Sequence, residues 1–304
     1  MDKETFFTKN LNKIIISVIC CVLWGSAFPV LKISYRELNI ISSNTGALMT
    51  LAGLRFFIAS ILIFICTYFI FKEKISIEKS YIPKLILLGF FQTGFYYFLF
   101  YNGVSNTSGM KSAIIGALES FFTVIAAHFY YSNDKIDKMK ITAMVTGFLG
   151  IIFANWGKGF EFSFTFLGEG LLALSCVLGA LSSIMVKEFS KSIHPFVITG
   201  YQMFFGSIMM LIYGFSSGQG SLNFNPLSSS LLLYSALLST VAFSLWFMLL
   251  KYNKAGEISL YRFIIPVSGT ILSAIFLPEE TLNIYIFISL TLVTLGIVGI
   301  NKFK

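Results

Sequence analysis

The chain has 304 residues, of which 56% are hydrophobic and only 12% are charged, and its mean hydropathy is +0.81. Soluble domains carry about 25% charged residues, so this composition excludes an ordinary soluble protein and indicates an integral membrane protein. The net charge of +8 does not indicate a nucleic-acid partner, because Lys and Arg lie between apolar runs and form no single basic patch with aromatic readers.

The polar residue types that carry enzyme chemistry are sparse and scattered. The four cysteines lie inside apolar runs, and neither they nor the two histidines have the spacing of metal ligands. The sequence also lacks a phosphate-binding glycine loop and a Ser/His/Asp arrangement. We therefore expect no cofactor, no metal and no enzymatic activity.

Ten apolar runs are long enough to cross the hydrocarbon core of a bilayer, which needs roughly 20 helical residues. The first follows Lys9 and Lys13 and resembles a signal peptide, but it is too long and lacks a cleavage site. Because lipid cannot satisfy irregular backbone, all ten are predicted to be helices. The predicted spans are 13–34, 47–71, 83–103, 109–131, 140–157, 167–188, 195–215, 229–250, 256–277 and 284–301.

Basic residues between the spans predict the orientation. With the N-terminus in the cytoplasm, 16 lysines fall on the cytoplasmic side and only three basic residues fall on the other side. Cytoplasmic loops retain Lys and Arg, so both termini are predicted to be cytoplasmic. We expect a multi-pass protein of the plasma membrane.

The two halves of the chain show weak internal similarity. Shifts of 146 or 147 residues align three segments in the same order: 51–62 with 198–209, 120–129 with 267–276, and 149–151 with 295–297. Each half holds five spans, an odd number, so the second half must cross the membrane in the opposite sense. We predict an inverted repeat with units 1–157 and 158–304.

Three motifs carry a resemblance to a known family: LWGSAFPVLK at 23–32, LRFFIASIL at 54–62 and FIIPVSGTILSAIFLPEE at 263–280. Together with the repeat, they resemble the EamA-type transporters of the drug/metabolite transporter superfamily. The resemblance implies an all-α fold of ten membrane helices whose pathway is formed mainly by spans 1, 3, 4, 6, 8 and 9. It also implies secondary transport of a small organic metabolite, such as an amino acid or amine, with efflux as the expected direction.

The chain departs from the family pattern in the fourth span, where Glu119 aligns with Pro266 of the ninth span and the family normally has proline in both. Glu119 lies about eleven residues, or about 16 Å, from the outer end of its span, and so near the midplane. A charge there costs at least about 2.5 kcal/mol. It is either a binding or proton-coupling carboxylate, or a member of a structural ion pair or hydrogen bond.

Arg262 in the ninth span is the natural partner to consider, because the repeat makes the ninth span the mate of the fourth. We hypothesise that Glu119 and Arg262 meet and that substrate or a proton competes for one of them. The alternative is that the Arg262 side chain extends to the cytoplasmic interface.

Further pathway candidates are aromatic or polar residues in spans 1, 3, 8 and 9. Rings provide apolar walls with a polar tip, which suits an organic substrate; alternatively they serve packing or the interfacial belts. The candidate substrate-binding residues, besides Glu119 and Arg262, are Trp24, Gln92, Tyr96, Tyr97, Ser239, Trp246 and Tyr261.

Two other features are interpreted as structural. Arg55 is expected to form hydrogen bonds within the fold, because its mate in the repeat is the neutral Gln202. Glycines at small-x-x-small spacing in spans five and ten are expected to pack helices, within the fold or between protomers of a homodimer. Among other functions, a membrane sensor or a channel stays open as an alternative to a transporter.

Overall fold

A computed structural model describes residues 2–41, 43–107, 109–154, 164–278 and 284–302, and all regular structure in these ranges is helical. A short helix, Lys3–Thr8, precedes the long ones. The long helices are α1 (Asn10–Glu37), α2 (Thr45–Ile70), α3 (Lys79–Ser105), α4 (Lys111–Tyr130), α5 (Lys138–Ala154), α6 (Phe166–Phe189), α7 (Pro195–Ser216), α8 (Pro226–Tyr252), α9 (Ala255–Phe276) and α10 (Ile284–Lys302).

Within the described residues, eight of these helices are long and apolar enough to cross a membrane, the exceptions being α5 and α10. The prediction of a helical, multi-pass membrane protein is therefore confirmed. The predicted end of the fifth span at residue 157, and the predicted boundary between the two halves, lie outside the described residues.

Polar residues begin several of these helices. Asn44 accepts a hydrogen bond from the backbone of Ala47 at 3.0 Å at the start of α2. Asn225 and Ser228 form a capping box at the start of α8, where each side chain accepts from the other residue's backbone N–H. Such caps satisfy the free N–H groups of the first helical turn, which lipid could not satisfy.

One face of α1 shows why the fold requires a bilayer. Leu11, Ile15, Ile19 and Val22 are between 38% and 59% exposed, and their spacing of three or four residues places them along one side of the helix. A continuous apolar stripe of this kind would be unstable in water. It is the surface that contacts lipid.

The helices pair in a pattern that stays the same when the first five are exchanged with the last five. The α2 helix packs on α7, α5 on α10 and α4 on α9. In addition, α1 packs on α9 and α8, as α6 packs on α4 and α3. The predicted similarity of the two halves thus has a counterpart in the packing.

Glycines allow the closest of these contacts. A Cβ on Gly150 would lie 3.1 Å from the carbonyl oxygen of Ser289, and one on Gly296 would lie 3.3 Å from the carbonyl oxygen of Ala143. These two glycines therefore pack α5 on α10 within one chain. Of the two alternatives given by the sequence, packing within the fold or between protomers, Gly150 and Gly296 follow the first. Gly206 of α7 similarly faces α3, where a Cβ would lie 2.6 Å from the carbonyl oxygen of Gly89.

We expect Gly206→Ala to destabilise the protein by about 1–3 kcal/mol, the usual cost of overpacking a tight interior contact. Gly299→Ala is the matched control, because nothing lies within 4 Å of a Cβ at Gly299. The midpoint of thermal unfolding of the purified protein in detergent measures both. Equal midpoints for the two variants would contradict the close approach of α3 and α7.

Candidate functional site at the centre of the helices

An ion pair lies where α4 and α9 meet: Arg262 Nη1 donates a hydrogen bond to Glu119 Oε1. Glu119 is only 8% exposed. The two side chains therefore do lie together, and Arg262 does not extend to the membrane surface.

Both residues stand beside an interruption of their helix. The α4 helix is interrupted at Ala117, so that Glu119 lies in the first turn of the segment Leu118–Tyr130. Arg262 lies in a 3₁₀ turn, Leu260–Phe263, within α9. Interrupted helices at membrane depth are tolerated where they are buried in protein or line a cavity, and in transporters they commonly form the binding site.

The Glu119 carboxylate has two further contacts. Tyr96 of α3 donates its hydroxyl hydrogen to Oε2 at 3.1 Å. On α6, a Cβ at Gly179 would lie 3.0 Å from Glu119 Cγ and closer still to the carboxylate, so only glycine leaves room for this side chain. Glu119 is thus held by three helices besides its own.

Two tryptophans cover the cation of the pair. The Cζ of Arg262 lies 5.5 Å from the ring of Trp24 and 5.6 Å from the ring of Trp246. The two rings meet edge to face with their centroids 5.1 Å apart. Cation–π contact with a desolvated guanidinium contributes about 2 kcal/mol, so the tryptophans and Glu119 together offset the cost of the buried charge.

Two donors in this group are unsatisfied within the described residues. Trp24 Nε1 and Arg262 Nε are both buried and have no hydrogen-bond partner. A buried donor without an acceptor costs about 1–3 kcal/mol. An acceptor on a bound molecule would remove that cost.

A second buried cation, Arg55, lies between α2 and α8. Arg55 is 4% exposed, its Nε donates to Ser239 Oγ at 2.7 Å, and its Cζ lies 5.0 Å from the ring of Phe56. Tyr97 of α3 packs on Phe56 at 4.9 Å. Arg55 therefore forms a hydrogen bond within the fold, as the sequence predicted, and its partner is Ser239.

The α8 helix connects the two groups. Ser239, Phe243 and Trp246 are spaced by four and three residues and so share one face. Phe243 contacts Trp24 at 5.1 Å and Phe56 at 6.1 Å. From Ser239 to Trp246 the helix rises by about 10 Å, which is the length of a small organic metabolite.

Two of the predicted residues lie outside these groups. Tyr261 is fully buried, and its hydroxyl accepts a hydrogen bond from Asn301 of α10 at 2.7 Å, so it packs α9 on α10. Gln92 lies in a wide turn of α3, Phe90–Gly94, and its buried Oε1 has no partner among the described residues. Sequence reasoning did not single out Phe243 or Gly179; for Phe243, the spacing along α8 from Ser239 to Trp246 was the available signal.

A separate cavity of about 520 Å³ lies between α1, α9 and α10. None of the nine predicted binding residues lines it, and its wall is almost entirely aliphatic. Transport sites require polar groups that orient a substrate, so we place the candidate site at the charged centre.

Comparison with known proteins identifies the family. The profile of the EamA-like transporter family matches residues 11–156 and again residues 166–302. The chain belongs to this family. It is thus an EamA-type transporter of the drug/metabolite transporter superfamily, and not an enzyme.

Its relatives include proteins that carry the name transporter. "Uncharacterized transporter YoaV" of Bacillus subtilis is 25% identical, with 90% of this chain and 91% of that protein covered. An "Uncharacterized transporter" of Archaeoglobus fulgidus is 26% identical, with 88% and 91% covered. A solved crystal structure superposes with a TM-score of 0.78 over 94% of both chains at 14% identity, which shows a shared fold.

We expect Glu119→Gln and Arg262→Gln each to lower the free energy of unfolding of this EamA-type transporter by about 3–5 kcal/mol, because each leaves the opposite charge buried and unpaired. The double variant should recover most of this loss, since it buries no charge. Unfolding by SDS in mixed micelles measures all three, with the exposed Glu4→Gln as control. Additive losses in the double variant would show that the two residues act independently.

Proposed function

We propose that this EamA-type transporter is a secondary transporter that exports a small organic metabolite, such as an amino acid or amine, from the cytoplasm by alternating access. The observation that carries the proposal is the Glu119–Arg262 pair, which lies between two interrupted helices and under two tryptophans. Substrate binds here by supplying an acceptor to the unsatisfied donors of Trp24 and Arg262.

Ten membrane helices in an inverted repeat of five plus five suit this mechanism. The two separate family matches support the division of the chain into halves, as does the pairing of the helices, which is unchanged when the halves are exchanged. After their interruptions, α4 resumes at Leu118 and α9 at Ile264, 146 residues apart, which is one of the two shifts that align the halves. Rocking of one half against the other would open the site to each side in turn.

Two buried ion pairs are suited to be the gates. Lys13 Nζ lies 2.5 Å from Glu257 Oε1, joining the starts of α1 and α9. Lys111 Nζ lies 3.1 Å from Glu169 Oε1, joining the starts of α4 and α6. In the proposed topology these are opposite ends of the molecule, and the repeat relates α1 and α9 to α6 and α4.

The charges in the two gates are exchanged: the α1 side supplies Lys13, whereas the corresponding α6 side supplies Glu169. Each side chain is 9% exposed or less, so breaking either pair alone would leave buried charges that water must enter to solvate. We infer that these two pairs, when formed, close the centre at both ends. We infer that the structure corresponds to an occluded state between the two open ones.

The transport proposal is tested by counterflow in proteoliposomes that contain the purified full-length protein. Vesicles preloaded with an unlabelled amino acid or amine should accumulate the labelled compound transiently, since a carrier exchanges substrate across the membrane. Empty liposomes are the control. Saturable exchange supports a carrier, whereas conductance without counterflow would indicate a channel and contradict the proposal.

The gates are tested by labelling Phe243→Cys with a membrane-impermeant maleimide, in a variant whose four cysteines are replaced by alanine. We expect Lys13→Gln to increase labelling from the cytoplasmic side and Lys111→Gln to increase it from the other side, because each opens one gate. The exposed Lys138→Gln should change neither. Increased labelling from the same side in both variants would exclude gates at opposite ends.

A further inference from the structure

Arg55 differs from the other buried cations described above in having no carboxylate partner. Lys13, Lys111 and Arg262 each pair with a glutamate, and Lys140 pairs with Asp134 at 2.5 Å. Within the described part of the chain, Arg55 forms no ion pair, and its guanidinium donates one hydrogen bond, from Nε to Ser239. A guanidinium carries five N–H donors, so most of its capacity is unused by the fold.

The surroundings of Arg55 also leave the charge uncompensated. Its neighbours are hydroxyl groups and rings: Phe56 on the same helix, Ser239 on α8, and Tyr97 of α3, which packs on Phe56. At the centre, Glu119 is already neutralised by Arg262, so Arg55, Arg262 and Glu119 together carry one net positive charge. Such a charge at membrane depth costs several kcal/mol unless a ligand balances it.

We propose that Arg55 is the receptor for an anionic group of the substrate and that the substrate is an organic carboxylate. This rests on the proposed transport function and narrows the substrate class. Of amino acids and amines, the site binds the compounds that carry a carboxylate. Arg55 binds the carboxylate through its two Nη groups while Ser239 fixes its Nε. A planar guanidinium matches a carboxylate in a bidentate geometry.

The remainder of the substrate then lies along the shared face of α8. Phe243 and the tryptophans form the apolar wall between Arg55 and Arg262, over the rise of about 10 Å from Ser239 to Trp246. At the far end, the unsatisfied Trp24 Nε1 and Arg262 Nε are both donors. The site therefore favours a carboxylate at Arg55 and an apolar body along α8, and an acceptor at the far end would add to the affinity.

The test uses matched triads of compounds with the purified full-length protein in detergent. Phenylalanine, leucine and lysine are each compared with the amine that lacks the carboxylate (phenethylamine, 3-methylbutylamine and cadaverine). Each is also compared with the acid that lacks the α-amine (3-phenylpropionate, 4-methylpentanoate and 6-aminohexanoate). Ligand-induced shifts of the unfolding temperature give affinities, because a ligand that binds only the folded state stabilises it.

We expect the carboxylates of the phenylalanine and leucine triads to stabilise the wild-type protein and their matched amines not to do so. Lysine and 6-aminohexanoate should bind more weakly, because their terminal ammonium would face the donors of Trp24 and Arg262. Arg55→Gln should weaken carboxylate binding by about 10- to 100-fold, the loss of one or more charge-assisted hydrogen bonds. Arg36→Gln is the matched control, since Arg36 is exposed at the outer end of α1. Arg55→Lys keeps the charge without the planar fork and should weaken binding less than Arg55→Gln.

Stability without ligand separates binding from structure. A residue kept for a ligand is not needed by the empty fold, so Arg55→Gln should unfold at or above the wild-type temperature, whereas Arg262→Gln should unfold below it. The proposal is overturned if amines bind as well as their acids, if no carboxylate binds, or if both Arg55 variants bind carboxylates with wild-type affinity. It is also overturned if Arg55→Gln is as unstable as Arg262→Gln.

The anion-receptor proposal and the transport proposal can fail independently of each other. Counterflow of an amine that lacks a carboxylate, insensitive to Arg55→Gln, would leave the carrier standing and remove the anion receptor. Binding of carboxylates that depends on Arg55, without any counterflow, would leave the receptor standing and remove the carrier.

Discussion

A single constraint organises this protein: a glutamate in the middle of an apolar membrane helix must be neutralised inside the fold. Glu119 is neutralised by Arg262, and this requires that the fourth and ninth helices meet where both are interrupted. Gly179 on α6 leaves space for the carboxylate, and the tryptophans of α1 and α8 cover the guanidinium. Helices from both halves of the chain therefore converge on one pair of charges.

In the proposed topology, charge pairs of the same kind lie at both ends of the bundle, where we propose that they act as gates. Lys13–Glu257 and Lys111–Glu169 join helices across the two halves, and the side chains of both pairs are buried. Because breaking either pair would leave buried charges unpaired, opening of a proposed gate would be a discrete event. Alternation between two sides follows if the repeat makes the opening of one end incompatible with the opening of the other.

Much of the fold could be predicted from the sequence, because the apolar runs reflect the length of helix that a bilayer requires. The positions of the helices and the meeting of Glu119 with Arg262 follow from spacing and from the similarity of the halves. The contacts of Tyr261 could not be predicted, because a tyrosine in an apolar helix can serve either packing or a transport pathway. The hydrogen bond from Asn301 shows that Tyr261 packs α9 on α10. The lack of an acidic partner for Arg55 is likewise a property of three-dimensional packing, which no local pattern encodes.

The central claim is that substrate engages the Glu119–Arg262 pair, and the double variant Glu119→Gln/Arg262→Gln tests it most directly. This variant buries no charge at the centre, so it remains folded while the binding groups are changed. In counterflow at equal amounts of folded protein, we predict a rate at least about tenfold below wild type, the loss of one charge-assisted contact. Counterflow at the wild-type rate would show that the pair only holds the helices together and would contradict this claim.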